Sequence, residues 1–329
     1  MSAAPVQTVT GPVAPEVLGR TLMHEHLWIA YPGHEVDWLH PGPSRRERVE
    51  RCVERIEEMK ALGVSSMLDP CPMDLGRDVE LMAEVAQRTR FQLVCATGLY
   101  KEAEGATAYW KFKMAFGSVV GAMAELFIKE LTEGVADTGI RAGIIKVGTG
   151  HGTLTEYERA VFAAAALASR ETGAPITTHT YGGRFCDDQQ DFLVGEGVPA
   201  HRIVIGHSCG SSDLDYHLKI ARGGSYLGFD RFGLDVIHPD EERVAALARL
   251  VRAGFGAQAV VSHDSVWCWA GAPIPDPAVQ AQMEKLWNPS HFLTRIAPRL
   301  LEAGVSEAQI EAFLVDNPRR FFAGERPPS

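Results

Sequence analysis

Short β-like apolar runs alternate with longer helical patterns along the whole chain, and this alternation constrains the fold more than any other feature. Eight such runs fall at about 20–26, 64–69, 91–97, 142–147, 174–179, 202–207, 224–229 and 257–263. Strands separated by helices pair in parallel with the helices packed outside, and eight βα units in succession close into a (β/α)8 TIM barrel of the α/β class. The intervening segments carry helix signals. Residues 47–62 put Val49, Val53, Ile56 and Met59 on one face, and 155–172 is an alanine-rich amphipathic stretch stopped by Gly173. The length of 329 residues would allow two domains, but barrels run to ~250 residues or more as one unit. No Gly/Ser linker, low-complexity tract or internal repeat interrupts the chain, so one domain over 1–329 is expected.

Composition narrows the functional class. With 46% hydrophobic and 22% charged residues the chain can bury a full core. A formal charge of −10, with no Lys/Arg block, argues against nucleic acid as a partner and leaves a small molecule as the expected one. The first ten residues have neither a basic n-region nor an apolar h-region, and no window reaches ~18 uninterrupted apolar residues. No membrane association is expected, and a cytoplasmic location is. The six cysteines, Cys52, Cys71, Cys95, Cys186, Cys209 and Cys268, form no C-x-x-C pair and read as buried or half-buried thiols of a reducing compartment.

Chemistry-bearing residues gather at the ends of the apolar runs. In Met23-His24-Glu25-His26 the spacing puts both imidazoles on one face of a strand. Lys146, His179, His207 and Asp264 each close a run of their own, and a parallel barrel brings strand ends to one mouth. Imidazole and carboxylate are the usual ligands of divalent metals, and two metals sharing a site need a bridging group as well. Lysine fails as a ligand while charged. A buried lysine near cations can become a free amine, add carbon dioxide and turn into a carbamate with two bridging oxygens. A single histidine in an apolar strand is ordinarily a hydrogen-bonded core residue, but the ordered set of four His, one Lys and one Asp points to a metal site. Glu25 and His263 fall on the opposite faces and are expected to pack or pair. His34, His40, His151, His201, His217, His238 and His291 are expected to serve surface or capping roles. Two connections exceed a tight βα loop, from Tyr100 to about Val120 and from Ser265 to about Pro289. The second carries Trp267, Trp269, Pro273, Pro275 and Pro277, and such loops are usually lids or specificity walls.

At these residues the chain resembles the phosphotriesterase family of the amidohydrolase superfamily over essentially its whole length. The resemblance is carried by Gly19-Arg20-Thr21-Leu22-Met23-His24-Glu25-His26, Leu75-Gly76-Arg77-Asp78, Ala96-Thr97-Gly98-Leu99-Tyr100, Gly143-Ile144-Ile145-Lys146, Thr177-Thr178-His179-Thr180, Ile205-Gly206-His207 and Asp316-Asn317-Pro318. It implies two divalent metal ions, zinc first with cobalt, manganese or iron as alternatives. His24, His26 and Asp264 would hold the more buried ion and His179 and His207 the more exposed one, with Lys146 as N6-carboxylysine and a hydroxide bridging them. It also implies a homodimer. The run Gly228-Phe229-Asp230-Arg231-Phe232-Gly233-Leu234-Asp235 is similar to that of the phosphotriesterase-like lactonases, which carry Arg after that Asp where organophosphate specialists carry His, and Tyr100 matches the lactonase tyrosine beside the metal pair. The run Val147-Gly148-Thr149-Gly150-His151-Gly152 departs from the acidic, proline-bearing turn of acyl-homoserine lactonases, and Ser265-Val266-Trp267-Cys268-Trp269-Ala270-Gly271 is unusual. These departures bear on acyl-chain preference and not on the metal chemistry.

The expected activity is opening of a lactone or ester by the bridging hydroxide, with promiscuous phosphotriester cleavage. Asp264 would be the proton acceptor, Tyr100 and Arg231 would be catalytic and substrate-binding groups, and Trp267 and Trp269 would form an apolar wall. A dedicated phosphotriesterase or carboxylesterase is the alternative within the class, and a non-catalytic metal-binding barrel the alternative outside it.

Overall fold

The structure is a computed structural model that describes residues 4–274 and 276–328, with backbone only at Cys186. Pro275 in the long loop and the thiol of Cys186 therefore lie outside the described residues. A short antiparallel hairpin, β1 (Val6–Thr8) and β2 (Gly11–Val13), precedes the barrel and has no counterpart among the sequence expectations. The eight parallel strands are β3 (Arg20–Leu22), β4 (Val64–Asp69), β5 (Gln92–Gly98), β6 (Ile144–Gly148), β7 (Ile176–His179), β8 (Ile203–Ile205), β9 (Tyr226–Phe229) and β10 (Ala259–Val261). Each pairs with the next in chain order. The seam between the first and last is closed by Met23 N–H to Val261 O at 3.2 Å and His26 N–H to Ser265 O at 2.9 Å. The expected TIM barrel is thus present.

Helices cover the outside: α1 (Arg45–Ala61), α2 (Val79–Thr89), α3 (Thr107–Met114), α4 (Val120–Thr132), α5 (Glu156–Thr172), α6 (Cys186–Gly195), α7 (Leu214–Gly223), α8 (Asp240–Arg252) and α9 (Pro277–Glu284), with α10 (Ala297–Glu302), α11 (Glu307–Leu314) and α12 (Asp316–Ala323) at the C-terminal end. Both helices read from periodicity have clear start signals. Ser44 and Glu47 form a reciprocal capping box on α1, as Thr155 and Glu158 do on α5. Gly173, at φ 75°, ends α5 where only an achiral residue sits without strain. Helices α3 and α9 fall inside the two long connections and carry no apolar stripe; α3 buries only Trp110 and α9 buries nothing. No helix among the described residues is long and apolar enough to cross a membrane.

The core has two layers, and their boundary positions the site. Between sheet and helices lies the larger apolar cluster. Inside the barrel a smaller one takes Leu68, Val94, Ile144, Val204, Tyr226 and Val260 from the strands, and Leu18, Met23, Phe321 and Phe322 join it. The barrel is therefore filled, not hollow, with polar chemistry confined to the C-terminal strand ends. Cys52, Cys71, Cys95, Cys209 and Cys268 are all free and buried, as expected.

Candidate metal centre

Six side chains expected at the site converge at the C-terminal ends of the strands, by two different routes. On β6, Ile144 belongs to the inner core, and a period of two puts Lys146 on the same face. His179 on β7 and Asp264 beyond β10 follow the same rule. His24 and His207 do not. The regular strand β3 stops at Leu22, short of the expected 26, because consecutive amides turn to one neighbour: Met23 N–H to Val261 O at 3.2 Å and His24 N–H to Ser262 Oγ at 3.0 Å. The alternation slips there by one residue, so that Met23 fills the inner core and His24, directly after it, reaches the mouth. His207 is turned inward by a left-handed backbone at φ 57°, and Asp264 is also left-handed at φ 55°. Non-glycine residues in that region are strained, and such strain concentrates at functional sites.

The distances describe one donor cluster. Asp264 Oδ1 lies 3.3 Å from His24 Nε2 and 3.2 Å from His26 Nε2, and Lys146 Nζ is 3.2 Å from His24 Nε2. His207 Nε2 sits 3.0 Å from His179 Nδ1 and 3.7 Å from Asp264 Oδ2. Gly98, at φ 119°, allows this crowding, since a Cβ there would strike the Lys146 carbonyl.

Two carboxylates that sequence reasoning left without a role orient the rings. Asp230 accepts from His24 Nδ1 at 3.1 Å, His207 Nδ1 at 2.9 Å and the His207 amide at 2.9 Å. Asp69 lies 3.1 Å from His26 Nδ1 and accepts from the Leu27 and Cys71 amides, both at 2.9 Å. Their signal was available, because Asp69 ends β4 and Asp230 follows β9, two strands that supply no ligand. With Nδ1 committed to a carboxylate, each ring directs its Nε2 lone pair into the cluster, the usual support for a metal-binding histidine. Glu25 and His263 pair away from the cluster as expected, with Glu25 Oε1 also accepting from Ser262 Oγ at 2.7 Å. His217 and His291, expected in surface or capping roles, are buried; His217 donates to Ser208 O at 2.9 Å, and His291 Nε2 lies 2.7 Å from Asp240 Oδ2.

Electrostatics suit cation binding. Burial, with neighbouring Arg231, pushes His207 down to about 3; burial and His207 hold His179 well below its ordinary range, so both rings are neutral. Burial lowers His26 too, but Asp264 and Asp69 outweigh it and hold it well above. Burial would raise Asp264, yet His207, His24 and Arg231 keep it far on the ionised side. Burial pushes Lys146 down to about 8, within reach of the free amine near neutral pH. The ligand atoms of His24, His26 and the ionised Asp264 lie within 4.8 Å of one another and fit a divalent cation, which would displace the proton that Asp264 and Asp69 hold on His26.

Above the cluster lies a cavity of about 150 Å³. Tyr100 lines it, its hydroxyl 3.2 Å from His179 Nδ1. Its amide donates to Asp74 at 2.9 Å. Arg231 lines it too, with Nε donating to Asp264 Oδ2 at 2.8 Å and not to Asp235. Trp269 is on the wall as expected, joined by Tyr31, stacked on it at 6.4 Å, and by Trp287. Trp267 is not. The 265–270 segment touches 26–30 through two isolated bridges, His26–Val266 and Ile29–Trp269, with a bend between them, and these two bridged residues, three apart and so outside strand alternation, line the cavity. Trp267 goes to the outer core, where its Nε1 donates to Ser265 Oγ at 3.1 Å. Larger hollows, of about 420 Å³ beside His201, 610 Å³ beside Arg141, 640 Å³ beside Arg51 and 330 Å³ beside Phe313, hold none of the donor set.

Comparison with known proteins agrees with this architecture. Residues 4–322 match the model of the phosphotriesterase family. An organophosphorus hydrolase from Deinococcus radiodurans superposes with a TM-score of 0.93 at 40% identity, covering 98% of this chain and 97% of that one. A chain in which organophosphate hydrolysis was engineered from a weak promiscuous lactonase template gives a TM-score of 0.93 at 38% identity, over 97% of this chain and 99% of that one. A phosphotriesterase homology protein of Mycobacterium tuberculosis is 38% identical over 320 residues, 96% of this chain and 97% of its own. The barrel, the strand-end cluster and these likenesses together place the chain in the phosphotriesterase family of the amidohydrolase superfamily, among hydrolases of ester and phosphoester bonds.

Proposed function

We propose that this hydrolase opens lactone rings, with slower cleavage of phosphotriesters at the same site. The observation that carries the reading is the pair of polar groups over the donor cluster, Tyr100 and Arg231, in place of a wall that is apolar throughout. An ester ring needs its carbonyl and ring oxygens oriented, and these two groups offer donors to both. The likeness to a chain built from a lactonase template supports the same reading.

His24, His26 and Asp264 would hold one cation and His179 and His207 a second, with Lys146 between them. Zinc is the proposed metal. As a free amine, Lys146 Nζ adds to the carbon of carbon dioxide and loses a proton, leaving a carbamate whose two oxygens serve two sites. Bound cations supply Lewis acidity, which polarises the substrate carbonyl and makes water a nucleophile near neutral pH.

The chain's own groups do the rest. Asp264, ionised and held at Oδ2 by Arg231, takes the proton released as water adds to the carbonyl carbon. It then delivers that proton to the ester oxygen as the ring C–O bond breaks. Burial holds the Tyr100 hydroxyl well above its ordinary pKa, so it stays protonated and donates to the substrate. Tyr31, Trp269 and Trp287 exclude water and receive an apolar substituent. A tetrahedral phosphorus centre resembles the tetrahedral state of ester hydrolysis, so phosphotriesters fit imperfectly but are turned over. The chain 1–329 acts as one unit, and a homodimer in the cytoplasm is the proposed working form, a setting that agrees with five free buried thiols.

The test is kcat/KM on metal-reconstituted protein for γ-lactones, δ-lactones, acyl-homoserine lactones, an aryl ester and paraoxon. A lactone is expected to lead the series; paraoxon or the aryl ester leading it would make the enzyme a phosphotriesterase or carboxylesterase.

A further inference from the structure

Segment 287–292 contributes no ligand, yet it is tied to both loops that carry working groups. Trp287 Nε1 donates to His263 O at 2.9 Å, and the Phe292 amide donates to His263 Nε2 at 2.9 Å. His263 directly precedes Asp264, so these bonds fix one side of the Arg231–Asp264 couple. His291 reaches the other side, its Nε2 2.7 Å from Asp240 Oδ2. Asp240, at the start of α8, accepts the Gly233 amide at 2.9 and 3.1 Å and Arg243 Nη1 at 3.0 Å. Arg243 Nη2 in turn donates to Leu234 O at 3.0 Å. Gly233 and Leu234 belong to the turn that begins at Arg231, since the Leu234 amide closes on Arg231 O at 3.2 Å. Gly233 is left-handed at φ 87°, and a Cβ there would enter the backbone of Leu286 and Trp287, so the turn rests directly on the segment.

The network is buried throughout, with Arg243 fully so and Asp240 and His291 at 4% and 5% exposure. Burial opposes ionisation of Asp240, but His291, the Gly233 amide and Arg243 hold it ionised. A buried carboxylate with three donors is costly to leave half-satisfied, so removing one of them should displace the groups it fixes. Asp240, Arg243 and His291 do not line the cavity, although Leu234 and Trp287, which the network holds, do, so packing is the competing account for these three.

We propose that His291, acting through Asp240, is a positioning residue that holds the Arg231 turn in register with Asp264. This rests on reading Arg231 and Asp264 as working groups, but not on the substrate being a lactone.

The experiment compares His291→Leu, which removes the donor, with His291→Gln, whose amide can still donate. Two readouts are taken. The first is the Arg231 Nε–H resonance in isotope-labelled, metal-free protein, assigned by its loss in Arg231→Lys. It is expected to be protected from exchange in the parent and in His291→Gln, and to broaden in His291→Leu. The second is kcat and KM with the best ester substrate at equal metal content. His291→Leu should lose about ten- to a hundredfold in kcat, while His291→Gln stays within roughly threefold. The His291→Leu loss should vanish in an Arg231→Ala background. An unchanged Arg231 resonance in folded His291→Leu would overturn the proposal, and so would an equal loss with Arg231 absent. If His291→Leu does not fold, Asp240→Asn, which keeps the shape of the acceptor but not its charge, takes its place: a broadened Arg231 resonance in the folded variant supports the proposal, and an unchanged one together with parental kcat overturns it. A lactone failing as substrate would touch the functional reading only, since the resonance needs no turnover.

Discussion

At the scale of single residues, donor chemistry was more legible than donor support. All six expected ligands meet at one cluster because their side chains have few other reasons to end a buried strand. Asp69 and Asp230 were passed over because a lone strand-end carboxylate names no partner until the fold brings a histidine Nδ1 to it. Asp264→Asn keeps an oxygen but cannot take a proton, so kcat should fall by ~10² or more with metal retained; near-normal turnover would remove Asp264 from proton transfer. Asp74 offers a test by pH. Burial pushes its carboxyl up from 3.8 to about 6. The folded state therefore binds this proton more readily than the unfolded one, a contribution fully present below pH 3.8 and lost as pH rises through about 6. Asp74→Asn, which cannot ionise, should gain on the parent by at most about 3 kcal/mol above that range. Urea unfolding at acid and neutral pH checks this, and a gap independent of pH would contradict it.

At the scale of elements, periodicity located all eight strands and the two helices it was asked for, since their burial is one-sided and regular. It failed where the backbone is irregular. The slip after Met23 and the left-handed turn at His207 place ligands that strict alternation would have pointed outward. Helices α3 and α9 were invisible because they bury almost nothing. Trp267 was misassigned because 265–270 meets 26–30 only at Val266 and Trp269, an irregular spacing that no sequence period gives, and that spacing decides which side chains face the cavity. Opposite phenotypes follow within this one segment. Trp269→Ala should weaken bulky or long-chain substrates selectively with little loss of stability. Trp267→Ala should cost about 3 to 5 kcal/mol of stability, as expected for a buried aromatic, and leave the ratio of kcat/KM between small and bulky substrates unchanged. Thermal or urea unfolding beside a substrate series distinguishes them, and a selectivity change at Trp267 without destabilisation would return it to the wall.

At the scale of the whole molecule, the barrel separates stability from chemistry. Its lower interior is apolar and capped by Phe321 and Phe322, so the fold does not need the mouth to stay together. The mouth concentrates four buried histidines, three of them with lowered pKa, with a buried lysine and an ionised aspartate, an arrangement that favours cations. Chelation should therefore abolish turnover while the barrel stays folded, with a lower unfolding midpoint because ligands that bind only the native state stabilise it. Lys146→Ala should lose the group shared between cations, and short carboxylates such as acetate or propionate should partly restore activity; full activity without them would exclude a role for the carbamate. The account rests most heavily on the six donors serving two cations in one catalytic unit. The most direct measurement is kcat/KM of chelator-stripped protein as zinc is added back in known equivalents. Turnover absent at zero and reaching its plateau at two equivalents is the expected result, and full turnover in the stripped protein, or a plateau at one, would contradict it.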